Sequence, residues 1–251
     1  MNTTLASAPS TLDTPAVQAA PRFDLYSTIH KALRHFMGDT LYRVGRLDVD
    51  DAADMEGTLG QLDSLLGLCL SHIHHENEFV HSAIEARHPA GAERTAGDHA
   101  EHLDSIEALQ SEARALRETD AAARPVLAQR LYAHLALFVA ENLQHLHIEE
   151  TANNGALWAL YSDAELLQIH ERLLASVSPA EHQVVGRWMF PAVNPTERAA
   201  ILLDIKSKTP PEPFLGLVAM LRGLLDDKAW NALARAVGVS PYFAVGSGTP
   251  A

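Results

Sequence analysis

Two short stretches of the chain each place a histidine four residues before a glutamate. The first, HIHHENEF, sets His72 ahead of Glu76, and the second, HLHIEETANN, sets His145 ahead of Glu149. Residues at positions i and i+4 lie on one face of an α-helix, so each pair can reach a single metal ion. Imidazole and carboxylate ligands together suit iron, manganese or zinc. The spacing therefore indicates a metal site that two helices share.

Two other stretches supply further candidate ligands. His30 lies on the apolar stripe of a predicted first helix, and His99 and His102 lie at the edge of the stripe of a predicted third helix. The spacing leaves open whether one or both of the third-helix histidines bind metal. Buried carboxylates are costly unless they are paired or coordinated, so two among imidazoles favour bound cations. The predicted metal ligands are His30, His72, Glu76, His99, His102, His145 and Glu149.

A competing pair, His74 and Glu78, has the same spacing. An offset of two residues turns this pair by about 200° around the helix. The apolar residues of this helix are in phase with His72 and not with His74. We therefore expect His74 and Glu78 on an outer, solvated face, together with His81 and Glu85.

Four helices must position the candidate ligands. Apolar residues recur at helical spacing over about residues 23–44, 55–86 and 126–152, and another helix begins at a predicted N-cap, Asp98. The polar residues 153–155, Asn-Asn-Gly, are expected to end the fourth helix. Because the sequence shows no convincing strand pattern, we predict an all-α fold, a four-helix bundle with additional C-terminal helices.

The chain divides into three predicted regions. Residues 1–22 are small, polar and proline-bearing, which is typical of a disordered tail. Residues 23–175 would form the four-helix bundle with the metal site. Residues 176–251 contain Ser-Pro and Asn-Pro helix starts and amphipathic segments, so they predict a helical extension without evident chemistry.

Composition excludes several classes of function. A formal net charge of −13 argues against nucleic acid or an anionic membrane as a partner. A single cysteine, Cys69, excludes an internal disulfide framework and a cysteine-based zinc site, and it fits a reducing cytoplasm. The N-terminus lacks the order of a signal peptide, and no apolar run suggests a membrane span. We therefore expect a cytoplasmic protein.

The four histidine-bearing stretches resemble the hemerythrin-like (HHE cation-binding) family, in a bacterial form with a helical C-terminal extension. The resemblance covers residues 23–160 and rests on YSTIHKALRH, HIHHENEF, DHAEHLDSIEAL and HLHIEETANN. It implies an up-and-down bundle that holds two iron ions (Fe2+/Fe3+) joined by an oxo or hydroxo group, in preference to zinc or manganese. Glu76 and Glu149 would bridge the ions. The implied terminal ligands are His30, His72, His145 and one or both of His99 and His102.

Two departures from the oxygen-carrying hemerythrins stand out. The carriers place two third-helix histidines at i and i+4, whereas His99 and His102 are at i and i+3. The carriers also use an aspartate five residues after the last histidine, where this chain has Glu150. Helix phase favours Glu149 over Glu150, with Glu150 as the alternative. These departures imply a protein closer to the sensor and regulatory branch of the family.

The resemblance implies a binding or sensing protein for dioxygen, nitric oxide, peroxide or iron/redox state. One alternative is a di-iron enzyme for peroxide reduction, nitric oxide reduction or ferroxidase action, and another is an interaction protein that metal merely staples. A ferritin-like site would need two Glu-x-x-His motifs, whereas the order here is His-x3-Glu. A protein partner or a second copy of the chain would bind through the C-terminal helices.

Overall fold

A computed structural model of the chain describes residues 22–240 and residue 242. This part of the chain is helical and contains no strand, which confirms the all-α prediction. No helix in the described ranges is both long and apolar enough to cross a membrane. The predicted disordered tail, residues 1–22, lies outside the described residues except for Arg22.

Residues 27–160 contain four long helices and two short ones. They are α1 (Ser27–Gly45), α2 (Ala52–His75), α3 (Ser82–Arg87), α4 (Glu93–Glu118), α5 (Arg124–Ile148) and α6 (Asn154–Leu160), of which α3 and α6 are short. Two π-helical turns, Glu76–His81 and Glu149–Asn153, join α2 to α3 and α5 to α6 without a break. The remaining helices are α7 (Asp163–Ser176), α8 (Pro179–Ala192), α9 (Pro195–Lys208), α10 (Pro211–Leu224) and α11 (Asp227–Val237).

Side-chain caps explain several helix starts. The side chains of Asp51, Ser162, Ser178 and Asn194 accept hydrogen bonds from the first-turn backbone N–H groups of α2, α7, α8 and α9. Such caps satisfy N–H groups that have no partner within the helix. The predicted Ser-Pro and Asn-Pro starts are thereby confirmed for α8 and α9.

The prediction that Asp98 caps the third helix is wrong. Helix α4 begins at Glu93, and Asp98 lies inside it. The Glu85 carboxylate accepts hydrogen bonds from the backbone N–H groups of Ala90 and Ala92, at 2.7 and 2.9 Å. Ala90 adopts a positive φ of 62°. The chain therefore reverses direction within a short turn held by Glu85, and α4 starts several residues earlier than the polar pattern indicates.

Helices α1, α2, α4 and α5 enclose a common apolar core. Helix α1 packs against α2 and α5, and α4 packs against the same two helices. Their inward-facing residues are almost fully buried, and they include Leu33, Phe36, Met37, Leu59, Leu62, Leu66, Ile106, Leu109, Leu131, Leu135 and Phe138. These four helices carry every predicted metal ligand, apart from the two glutamates that begin the π-helical turns.

The C-terminal helices have an apolar cluster of their own. It contains Phe190, Leu202, Phe214, Val218, Leu221, Trp230 and Leu233. Helix α8 also packs against α1, where the Trp188 ring stacks on the Phe36 ring with centroids 4.0 Å apart. Lys31 donates to Glu197 at 2.6 Å beside this contact. The extension is thus attached to α1, where Trp188 packs against the edge of the shared core, while a domain boundary near residue 175 stays a prediction.

Replacing Trp188 with alanine tests this attachment. We expect the free energy of unfolding to fall by about 2 kcal/mol, below the roughly 3–5 kcal/mol typical of fully buried aromatic residues, because Trp188 is only half-buried. Urea unfolding followed by circular dichroism measures the change. Val126→Ala, at an exposed position, is the control and should change stability by less than about 0.5 kcal/mol. Equal effects of the two substitutions would contradict a stabilising role for the Trp188 contact.

Candidate metal centre

The two glutamates of the predicted site each begin a π-helical turn, at Glu76 and at Glu149. A π-helical turn adds one residue, which shifts the following side chains by about 100° relative to α-helical phase. The prediction that His81 lies on an outer face is therefore wrong, because His81 is buried. The expected break at residues 153–155 is also wrong, since Asn153 and Asn154 are buried within continuous helix.

One group of potential ligands joins α1 to the end of α2. Ligand atoms of His30, His72, Glu76 and Glu149 all lie within 4.8 Å of one another. The His72 Nε2 atom is 3.1 Å from Glu76 Oε1. The His30 Nε2 atom is 3.5 Å from Glu76 Oε1 and 3.5 Å from Glu149 Oε2. This arrangement offers two imidazoles and two carboxylates to one cation.

A second group joins α4 to the end of α5 and shares both glutamates with the first. Ligand atoms of Glu76, His99, His145 and Glu149 also lie within 4.8 Å of one another. The Nε2 atoms of His99 and His145 are 3.0 Å apart. Glu149 Oε2 is 3.3 Å from His145 Nε2, and Glu76 Oε2 is 3.4 Å from His99 Nε2. Two adjacent cations could therefore be bridged by the same pair of carboxylates.

The hydrogen bonding of these residues fits a metal centre. Both carboxylate oxygens of Glu76 and of Glu149, and the Nε2 atoms of His30 and His72, are buried without a hydrogen-bond partner. Buried polar atoms in folded proteins are almost always paired, because an unpaired one retains its full desolvation cost. Since these atoms point into a common space, cations bound there would satisfy them together.

Electrostatics keeps the two carboxylates ionised. Burial would raise the pKa of Glu76, but His72, His30 and His99 outweigh it and hold the pKa well below its usual range. Burial and Glu76 both raise the pKa of Glu149, yet the neighbouring His145 and His81 leave it lowered. Ionised carboxylates are acceptors only. The metal-free site thus presents negative charge that a cation can neutralise.

The first pair of histidines has unequal electrostatic surroundings. Burial disfavours the charged form of His30, but the contact with Glu150 and the nearby Glu76 carboxylate raise its pKa to about 9. Burial lowers the pKa of His72 to about 4; the Glu76 carboxylate opposes this effect without reversing it, and His30 reinforces it. The His72 imidazole is therefore neutral near pH 7 and has a free lone pair to donate to a metal.

Polar side chains outside the site orient three of the imidazoles through their Nδ1 atoms. His30 Nδ1 lies 3.1 Å from Glu150 Oε1, and His99 Nδ1 lies 2.8 Å from Asn77 Oδ1. His145 Nδ1 lies 3.3 Å from Asp98 Oδ2. Such contacts fix the ring and its tautomer, with Nε2 directed toward the two glutamates.

Glu150 lies outside both ligand groups. Arg34 donates two hydrogen bonds to the Glu150 carboxylate, at 2.5 and 2.9 Å. Burial alone would raise the pKa of Glu150, but His30 and Arg34 lower it to about 2. The structure therefore places Glu149 between the histidines, whereas Glu150 contacts His30 from outside the two ligand groups.

The third-helix histidines occupy different environments. His99 belongs to the second ligand group, whereas His102 belongs to neither group. The His102 ring faces the His145 ring at 5.0 Å and an interplanar angle of 88°. Burial, with smaller effects of His145 and His99, lowers the pKa of His102 to about 4. His102 is therefore a neutral imidazole beside the site that lines the adjoining cavity.

A small cavity adjoins the site on the side of His102. The space open to the centre of a water-sized sphere is about 10 Å³, room for one small molecule. Burial raises the pKa of the Cys69 thiol at its edge to about 12, so this thiol stays protonated. The cavity is lined by Leu33, Met37, Cys69, His72, Ile73, His102, Asn142, His145 and Leu146.

The competing pair on the second helix lies outside the site. The His74 side chain is 73% exposed and the Glu78 side chain 54% exposed, although their atoms approach to 3.4 Å. The helix phase argument is thereby confirmed for residues before the π-helical turn and for Glu78.

Comparison with known protein families, curated proteins and solved structures finds no match. Function must therefore be inferred from the site itself.

The two third-helix histidines can be distinguished by substitution. We expect His99→Ala to lower the metal content by about one ion per chain, because His99 faces both carboxylates. His102→Ala should leave the metal content unchanged, since its ring faces the cavity. Elemental analysis of both purified variants beside the unaltered protein provides the measurement. Loss of metal from His102→Ala alone would reverse the assignment.

Proposed function

We propose that this chain is a hemerythrin-like protein in which α1, α2, α4 and α5 form an up-and-down four-helix bundle around two iron ions. The observation that carries the proposal is the set of buried, unpartnered carboxylate oxygens at Glu76 and Glu149. Both residues belong to two adjacent groups of potential ligands. A bundle with ligands on facing helices is a common way to build such a centre.

The ligand groups suggest how the ions would be held. His30 and His72 would bind the first ion, His99 and His145 the second, and the two glutamates would bridge them. The donor set is rich in imidazole and contains no thiolate, which suits iron, with zinc or manganese as alternatives. It lacks the extra glutamates of ferritin-like centres, so hemerythrin-type chemistry is favoured over that of ferritin-like enzymes.

A bound iron pair would supply redox chemistry toward dioxygen, nitric oxide or peroxide. The chain contributes the cavity beside His72 and His145, which has a largely apolar lining and room for about one water molecule. Among the described residues, no carboxyl or amine group lines this cavity. His102 is neutral because its pKa is lowered to about 4. Since reductive turnover needs a proton donor, the cavity favours binding or sensing over an enzyme.

One contact favours a sensing role in particular. Helix α8 places Glu181 beside Ser71, whose Oγ donates to it at 2.5 Å, and the Glu181 carboxylate lies 3.5 Å from His75 Nδ1. Ser71 and His75 flank the proposed ligand His72 on α2. A change in metal occupancy at His72 therefore has a direct structural connection to the C-terminal helices, which would be the surface for a protein partner or a second copy.

The test of this function is metal analysis combined with visible spectroscopy. Protein loaded with ferrous iron under anaerobic conditions should bind two ions per chain and change its spectrum reversibly when dioxygen is added and removed. An irreversible change accompanied by repeated consumption of peroxide or nitric oxide would indicate an enzyme instead. A chain that binds two zinc ions and shows no response to iron or gas would indicate a structural metal staple.

Two histidines on one helix provide a matched pair of variants. We expect His72→Ala to reduce the iron content by about one ion per chain, because it removes a buried imidazole from the first ligand group. His74→Ala, two residues away, removes an exposed imidazole and should leave the content unchanged. Iron is quantified after anaerobic loading and dialysis. Equal iron content in the two variants would refute the assignment of His72.

A further inference from the structure

A layer of polar side chains lies about one turn beyond the ligands, on the side opposite the cavity. It contains Tyr26, His81, Thr95 and Asn153, all of which are buried. Tyr26 precedes His30 by four residues and Thr95 precedes His99 by four, so each lies one helical turn from a ligand. His81 enters the layer only because the π-helical turn Glu76–His81 rotates it inward. His81 belongs to neither group of potential ligands.

Hydrogen bonds within this layer determine which nitrogen of His81 carries a proton. Asn153 Nδ2 donates to Thr95 Oγ1 at 3.0 Å, and the Thr95 hydroxyl donates to the Ala92 carbonyl at 3.2 Å. His81 Nε2 lies 3.2 Å from the same Thr95 oxygen. A carbonyl only accepts, so the single hydroxyl hydrogen of Thr95 is already used. His81 must therefore donate to Thr95 from a protonated Nε2.

The same N–H group lies beside a bridging carboxylate. His81 Nε2 is 3.6 Å from Glu149 Oε1, and His99 Nε2 is 3.7 Å from the same oxygen. The His81 and His99 rings stack with centroids 4.7 Å apart and an interplanar angle of 12°. The nearly parallel rings place both Nε2 atoms beside Glu149 Oε1, and a protonated nitrogen has no lone pair for a metal. The His81 N–H donates to Thr95 and attracts the Glu149 carboxylate electrostatically, at a distance too long for a hydrogen bond, whereas His99 is suited to bind the ion.

We propose that His81 is a positioning residue that holds the Oε1 side of Glu149 in place for the second metal ion, with Thr95 and Asn153 fixing the His81 ring. The inference rests on the proposed two-ion centre and deepens it. Outer partners of metal ligands typically change metal affinity by about 10- to 100-fold. When the Glu149 side chain is held in this way, both of its carboxylate oxygens remain available to the two ligand groups. Without this contact, the two groups receive unequal support from side chains outside the site. The π-helical turn then has a specific purpose, because regular α-helix would direct His81 outward.

Titration with ferrous iron under anaerobic conditions, in competition with a chromogenic chelator, tests the inference without an activity assay. In His81→Leu we expect the affinity for one ion to fall by about 10- to 100-fold, with a much smaller change for the other. His81→Gln retains an N–H donor and should recover most of the loss. Thr95→Val removes the acceptor that holds the ring and should weaken the same ion.

The affected ion can be identified with His99→Ala, which removes a ligand of the second ion only. Adding His81→Leu to His99→Ala should not weaken the remaining ion further, because His81 acts on the other position. Thermal unfolding of the metal-free proteins, followed by circular dichroism, separates loss of fold from loss of affinity. If His81→Leu fails to fold, His81→Gln and Thr95→Val alone decide the matter.

Several results would overturn the inference while leaving the two-ion centre intact. Unchanged affinity for both ions in His81→Leu or Thr95→Val would do so, as would a His81→Gln variant as weak as His81→Leu. Equal weakening of both ions would also exclude a specific action on the second position. If the unaltered chain binds no pair of ions, the proposed function itself fails. The two proposals are therefore tested by different measurements.

Discussion

The arrangement of this bundle depends on the burial of two ionised carboxylates. Glu76 and Glu149 are inaccessible to water and accept no hydrogen bond within the described chain. Ions in a protein interior lose their hydration, and only close opposite charges or coordination can compensate. Imidazoles converge on these two residues from four helices for this reason. Even without metal, the protonated His30 supplies part of the compensation, since its pKa is raised to about 9.

The sequence predicts the convergence of the candidate ligands well where regular helix phase applies. His30, His72 and His145 lie in phase with apolar neighbours, and the structure brings them together around both glutamates. The all-α fold follows from the same periodicity. What the sequence does not determine is the layer in which each histidine lies. His99 and His102 both face inward, and the axial offset of α4 against its neighbours sends one to the carboxylates and the other to the cavity.

The π-helical turns cause the remaining disagreement. Extrapolating α-helical phase past Glu76 sends His81 to solvent, whereas the inserted residue brings it inside. The sequence contains a signal of this inserted residue. Val80 and Ile84 are apolar, each lies one position beyond the apolar stripe predicted for the second helix, and both are buried. The helix does not end at Asn153 as expected, because a π-helical turn continues it there. Polar residues usually mark a boundary, but here they are buried in a hydrogen-bonded layer beside the site.

The centre therefore has unlike surroundings on its two sides. Toward the middle of the bundle it meets an apolar cavity with a neutral imidazole, and toward the other end it meets the layer containing Thr95 and Asn153. The apolar side can admit a small molecule without giving it protons. In the proposed centre, the polar side would hold a bridging carboxylate without competing for the metal, because its nearest nitrogen, His81 Nε2, is already protonated. Access of a small molecule and positioning of the metal-binding side chains are thereby separated on opposite sides of the centre. Each π-helical turn contributes a residue to the polar side, since a regular helix cannot turn a side chain inward at that point.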